Sequence, residues 1–177
     1  MPSKDELDGN LEWRTDAALR RKEGLTKRTL QIPVSEVPAR APIIVDPEAT
    51  AFDAILKMQE NHVGAVLVQT EEGVGILTER DIIMKIPSKK RLFKDCAVRE
   101  IMTKNALTLH RDDTIAFALN YMAIGGYRHI PVVNDKNEPV GQLSIKDILR
   151  YIVEFFPEAV ISLPPKPQKD SIPRYGG

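Results

Sequence analysis

The chain has one cysteine, Cys96, in 177 residues. A single thiol cannot close an intramolecular disulfide, which suits a reducing cytosol, and no His–Cys signature marks it as a nucleophile. Cys96 is therefore expected to be an inert structural residue. Histidine is almost as scarce: His62, His110 and His129 lack metal-ligand spacing, so no metal site is expected. Long apolar runs are missing too. The stretch around AVLV (65–68) falls far short of the roughly 20 residues of a bilayer-spanning helix, so no membrane is expected as a partner. The N-terminus MPSKDELDGN is polar and acidic, unlike a secretory signal, and the expected location is cytoplasmic. Neither sign of charge is in excess, with 25 Lys and Arg facing 25 Asp and Glu. Zero net charge leaves no global field to draw the chain to nucleic acid, and 6% aromatic content supplies few rings to stack on bases. No nucleophile–base pair or metal cluster is visible, so the chain is not expected to be an enzyme.

What the sequence does hold is a repeat. Hydrophobic residues at 42% and charged residues at 28% are the balance of a globular protein of one domain, or two small ones sharing a core. GILTERD (75–81) and GQLSIKD (141–147) share one grammar, 66 residues apart: glycine, two apolar residues, a hydroxyl, two residues, aspartate. At an offset of 64, VSEVPARAPIIVD (34–46) lies over VREIMTKNALTLH (98–110), and AVLV (65–68) over HIPV (129–132). Ala51, Ala54, Ile55 and Met58 form a helical stripe that Ile115, Ala118, Leu119 and Met122 repeat. The offset then grows by two between TEEG (70–73) and NDKNEP (134–139), turn-forming clusters where a hairpin loop changes length cheaply.

Each copy reads as an opening strand, a helix, a strand hairpin and a closing helix, with strands AVLV and VGIL in one and HIPVV and VGQL in the other. The closing helices begin at Thr78 and Ser144. A three-stranded sheet with two helices on one face buries little core alone. The expected fold is therefore α/β: two β-α-β-β-α repeats packed sheet to sheet with pseudo-twofold symmetry. The divisions are 1–32, an N-terminal helical extension; 33–90, repeat one; 91–156, repeat two; and 157–177, a proline-rich tail. Residues 5–23 are expected to form a helix stopped by Gly24 and docked through Trp13. PSKKRLFK (87–94) reads as a solvated basic linker rather than a nucleic-acid contact, as does the run Arg20, Arg21 and Lys22. A PxxP match at Pro164 to Pro167 is of a kind common by chance.

The repeated junction has two readings. A hydroxyl followed three residues later by a carboxylate fits a helix capping box, worth about 1 kcal/mol and needing no ligand. The same geometry suits a nucleotide. A helix N-terminus favours phosphate, a hydroxyl there can donate to it, and an aspartate one turn on can accept from ribose hydroxyls. Glycine at the strand end lets a ligand approach the backbone.

GILTERD with NHVGAVLVQ, and GQLSIKD with YRHIPVVND, resemble a pair of CBS domains, also called a Bateman module; VREIMTKNALTL is similar to that family's opening segment. The likeness covers about residues 33–156. It implies a regulatory module that binds adenosine-containing ligands (AMP, ADP, ATP or S-adenosylmethionine) in the cleft between repeats, with no catalytic cofactor. It also implies a homodimer acting on a separate, unidentified regulated protein. The aspartate would hold ribose and the hydroxyl would approach phosphate. One site would contain Ile76, Thr78, Arg80 and Asp81, completed by Ala106, Leu107 and Arg128. The other would contain Gln142, Ser144, Lys146 and Asp147, completed by Pro42, Ile43 and Gly64. Arg128 suits phosphate better than its neighbour His129, whereas Gly64, its counterpart, carries no charge. Val63 and Leu67 also stand where copy two has Tyr127 and Pro131. The apolar surplus of Ile82, Ile83, Ile86, Ile148, Leu149, Ile152 and Phe156 points to the closing helices as the dimer interface. The alternative is a structural dimerisation scaffold in which the capping box is the whole story.

Overall fold

The computed structural model describes residues 26–89 and 92–156. The expected N-terminal helix with Trp13, the basic run at Arg20 to Lys22 and the proline-rich tail lie outside these described residues. After 3-10 turns at Lys27–Gln31 and Val34–Glu36, the first half comprises α1 (Ala51–Glu60), β1 (Ala65–Thr70), β2 (Gly73–Thr78) and α2 (Glu79–Lys89). The second half comprises α3 (Val98–Ile101), β3 (Leu109–His110), α4 (Ile115–Gly125), β4 (His129–Val133), β5 (Pro139–Ser144) and α5 (Ile145–Val153).

Both hairpins fall where the repeated apolar runs and turn clusters of the sequence place them. β1 and β2 pair antiparallel from Ala65↔Thr78 to Thr70↔Gly73. β4 and β5 pair from His129↔Ser144, with a register shift between Val132 and Val133 that leads into the longer second turn. The opening strands differ from expectation. β3 pairs parallel to β4, giving three strands in the second half, but in the first half only an isolated Ile44↔Leu67 bridge forms. Pro42 and Pro47 bracket that segment, and a residue without an N–H cannot extend a ladder. The expected linker is also shorter than 87–94: the backbone of α2 stays helical to Lys89, and Phe93–Asp95 forms a 3-10 turn.

The core explains why the halves depend on each other. Val66 and Val68 on one face of β1 pack with Ala51, Ala54, Met58, Leu77, Ile82 and Ile86, and the same cluster takes in Cys96, Val98, Ile101 and Met102 from the start of the second repeat. Full burial of each larger aliphatic side chain contributes about 1.5–3 kcal/mol. On the other face Ala65, Leu67 and Ile76 gather with Ala106. There Gln142 Nε2 of β5 donates to the Ala65 carbonyl at 3.4 Å, so the sheets meet face to face.

The opening segments are exchanged. Ala51 N donates to Cys96 O (2.8 Å) and Val98 N to Ala49 O (2.8 Å), joining the second opening segment to α1. Sixty-four positions away the same bonds recur, Ile115 N to Ile32 O (3.0 Å) and Val34 N to Asp113 O (2.7 Å), joining the first segment to α4. Residues 28–148 accordingly form one compact unit. From Leu149 the chain belongs to a second unit, in which the Tyr151 and Phe155 rings meet edge to face with centroids 5.4 Å apart.

Candidate ligand-binding site

Each motif forms a complete capping box. At the first, Thr78 N and Thr78 Oγ1 donate to Asp81 Oδ2 (3.0 and 2.6 Å), while Asp81 N donates to Thr78 Oγ1 (3.2 Å). At the second, Ser144 N and Ser144 Oγ donate to Asp147 Oδ2 (2.9 and 2.6 Å), and Asp147 N donates to Ser144 Oγ (3.3 Å). An ionised carboxylate only accepts, so each hydroxyl has given it its single proton. Neither hydroxyl is free to donate to a phosphate while the box holds. That alters the expected division of labour, because phosphate must find its donors in amides and cationic side chains.

The motif glycine also has a different neighbour from the one expected. A Cβ at Gly75 would lie 3.1 Å from Met102 Sδ and 3.1 Å from Thr103 O. The chain that approaches it is the exchanged opening segment, not a ligand. Thr103 exchanges hydrogen bonds with Ile76 (3.0 and 2.8 Å), and Ala106 N donates to Val74 O (2.8 Å). This pairing lays residues 103–107 along β2 as one wall of a cavity.

That cavity, about 1090 Å³, is lined by Ile76, Thr78, Arg80, Asp81, Ala106, Leu107 and Arg128, the whole of the first expected site. Gly64, Ser144 and Lys146 of the second expected site line the same space; Pro42, Ile43, Gln142 and Asp147 do not. Gln142 and Asp147 are only 7% and 3% exposed, Gln142 turned to Ala65 and Asp147 to its cap. Ile43 packs against the first half's core, and its carbonyl accepts from Leu67 N at 2.8 Å.

Other lining residues were not assigned to a ligand from sequence. Ile55 and Met58 read as core stripe, and Tyr127, Pro131 and Val63 read only as differences between copies. Glu79 and His62 carried no separate signal. A Cβ on Gly64 would meet Glu79 Oε2 at 3.1 Å and His129 Cε1 at 3.5 Å, so this glycine leaves room for two polar side chains.

The electrostatics of the cavity are uneven. Burial pushes the Asp81 carboxyl up, but hydrogen bonds from Lys85 and from the Thr78 side chain and amide, with the Lys85 charge, hold it below the ordinary value. Lys85 Nζ lies 2.8 Å from Asp81 Oδ1. A carboxylate offers about four lone-pair sites. Three are occupied, so Asp81 can accept one further hydroxyl with its cap intact. Burial, then the Arg128 charge, lowers the His129 imidazole; Glu79 and Asp147 oppose this and Lys146 adds to it. Among the described residues, the side chains of Arg80, Arg128 and Lys146 make no ion pair or hydrogen bond.

Both repeats are matched by one known family. The CBS domain sequence profile fits residues 34–88 and 98–154. The chain belongs to the CBS domain family. An uncharacterized protein of Methanopyrus kandleri is 32% identical over 67% of this chain and 62% of its own length. A mitochondrial CBS domain-containing protein of Arabidopsis thaliana is 34% identical over 59% of this chain and 53% of its own, so the chain spans about half to two thirds of these relatives. A CBS domain protein from Pyrobaculum aerophilum, solved in complex with AMP, superposes with a TM-score of 0.61 at 27% identity, covering 71% of this chain and 98% of that chain. No helix of the described residues is long and apolar enough to cross a membrane.

Proposed function

We propose that this CBS pair is a regulatory module that binds an adenosine-containing ligand in the cavity beside Asp81 and thereby modulates a partner protein, without chemistry of its own. The cavity itself carries the reading. It brings together Asp81, with one lone-pair site left for a ribose hydroxyl, the apolar Ile76, Ala106 and Leu107 for a purine, and Arg80, Arg128 and Lys146, which make no ion pair among the described residues, for phosphate. The Pyrobaculum homologue holding AMP supports the same ligand class. AMP, ADP, ATP and S-adenosylmethionine are the candidates, and the module acts as a homodimer in the cytoplasm.

A thermal-shift screen of these ligands tests it. A ligand that binds only the native state adds RT ln(1 + [L]/Kd), about 2.7 kcal/mol at a hundredfold excess over Kd. No shift with any of them overturns the proposal in favour of a dimerisation scaffold. That second reading rests on one observation, that both capping boxes close without a ligand.

A further inference from the structure

The two motifs open on one cavity, but only the first brings its aspartate to it. Resting on the adenosine reading above, we propose that the second motif is not a second nucleoside site. It is the distal phosphate cradle of a nucleoside di- or triphosphate whose ribose is held at Asp81. Three observations carry this. Asp147 and Gln142 are buried and off the lining, so the second half offers no ribose acceptor, yet Ser144, Ile145 and Lys146 face the same space as Thr78. The cavity, at about 1090 Å³, lies at the upper end of the roughly 300–1,000 Å³ usual for ligand pockets, so its volume admits a nucleoside with an extended phosphate chain. The third is the inventory of donors. At the start of α5 the Ile145 amide donates to Arg128 O (3.0 Å) and the Asp147 amide to Ser144 Oγ (3.3 Å), leaving the Lys146 amide between them for a ligand.

The charges around this path favour an anion that reaches across. Arg80, Arg128 and Lys146 line the cavity together with Glu79 and Asp81, and Asp81 is already paired with Lys85. Lys146 is exposed and makes no ion pair among the described residues, so its removal takes away no buried side chain. Gly64, with no side chain of its own, keeps open the passage beside Glu79 and His129.

Calorimetric titration of the full chain with adenosine, AMP and ATP tests the proposal on the wild type, Lys146→Ala and Lys146→Arg. One ATP is expected per chain, bound more tightly than AMP. Lys146→Ala should weaken ATP about tenfold and leave adenosine and AMP within about twofold, as suits the loss of one charged contact. Lys146→Arg should restore most of the loss. Two ATP per chain, with Lys146→Ala abolishing only one binding event, overturns the cradle in favour of an independent second site. Equal affinity of Lys146→Ala and wild type for ATP overturns it as well. Absence of heat from every ligand on the wild type is a different result, because it removes the adenosine reading itself and the cradle with it.

Discussion

Lys85 Nζ bridges Asp81 Oδ1 and the Ile101 carbonyl, at 2.8 Å to each. One side chain thus ties the motif aspartate of the first repeat to the opening segment of the second. Ile101 belongs to the segment whose continuation, Thr103 to Leu107, forms the cavity wall. A ligand that takes the remaining acceptor position on Asp81 therefore bears on the register of two repeats at once. A second ribose hydroxyl fits on Asp81 only if Lys85 lets go. The regulatory signal proposed for this module has a physical path through that bond.

Asp81→Ala separates the capping and binding roles. Loss of a carboxylate-to-ribose hydrogen bond should cost on the order of 1.5–3 kcal/mol, roughly ten- to a hundredfold in Kd for AMP. Loss of the cap should cost about 1 kcal/mol of stability at the same time. Asp53→Ala removes the equivalent box at Thr50, outside the cavity, and serves as the control. It should lower the melting temperature without changing affinity. If both variants keep wild-type affinity, Asp81 is a cap and nothing more.

Two depressed pKa values give the pH dependence. Asp81 is held below its ordinary value in the folded chain, so its contribution to stability is complete above the unfolded value of about 3.9 and disappears as pH falls through the folded one. His129 is also depressed, so the fold favours its neutral form, and that contribution is complete above about 6.5 and declines below it. Arg128 and Lys146 push the imidazole down, Glu79 and Asp147 pull it up, and a bound phosphate would join the second pair. AMP binding should then take up a proton and tighten as pH falls from 7, by at most about tenfold per unit for one proton. Adenosine should show no such slope, and His129→Gln should flatten the one for AMP. Parallel slopes for AMP and adenosine would place the phosphate away from His129.

The architecture was legible because its signals are local. The stripe of Ala51, Ala54 and Met58, the apolar run of β1 and the growth of the offset at the second turn each depend on neighbours a few residues apart. The exchange of opening segments was not. Cys96 and Val98 follow the first repeat's closing helix and precede the second repeat, and no periodicity states that they pack on α1. The same blindness gave Gly75 to a ligand, whereas Thr103 is the group that needs the space. It also left the hydroxyl of Thr78 for phosphate, since a sequence does not show where one proton goes. The sequence set the Asp147 half apart through Gly64, which carries no charge, but the burial of Asp147 itself was not legible because burial depends on both sheets at once.

The surplus of apolar residues on the closing helices divides cleanly. Ile82 and Ile86 are buried, while Ile83 and Met84 stand 68% and 69% exposed on α2, Ile83 also lining the cavity. Exposed apolar surface of this sort marks an association site. Light scattering at micromolar concentration should give the mass of a dimer, and Ile83→Glu should give a monomer with an unchanged circular dichroism spectrum. A wild-type monomer would remove α2 as an interface.

Arg128 supplies the sharpest test of which end of the ligand lies where. Its guanidinium lines the cavity without an ion pair among the described residues, and its charge helps lower the neighbouring His129. Arg128→Ala should weaken AMP and ATP about tenfold, and by less at high salt, where the wild type's electrostatic advantage is screened. Adenosine should change by less than twofold. The same substitution should raise the His129 pKa toward its ordinary value, a shift that histidine proton resonances report without any ligand. The pattern across the three ligands is what decides. Equal losses for all three ligands, with His129 displaced, would mean that Arg128 shapes the local fold and faces no phosphate. Selective loss for the phosphorylated ligands, with His129 displaced, puts the phosphate beside both residues, at the junction of the two repeats.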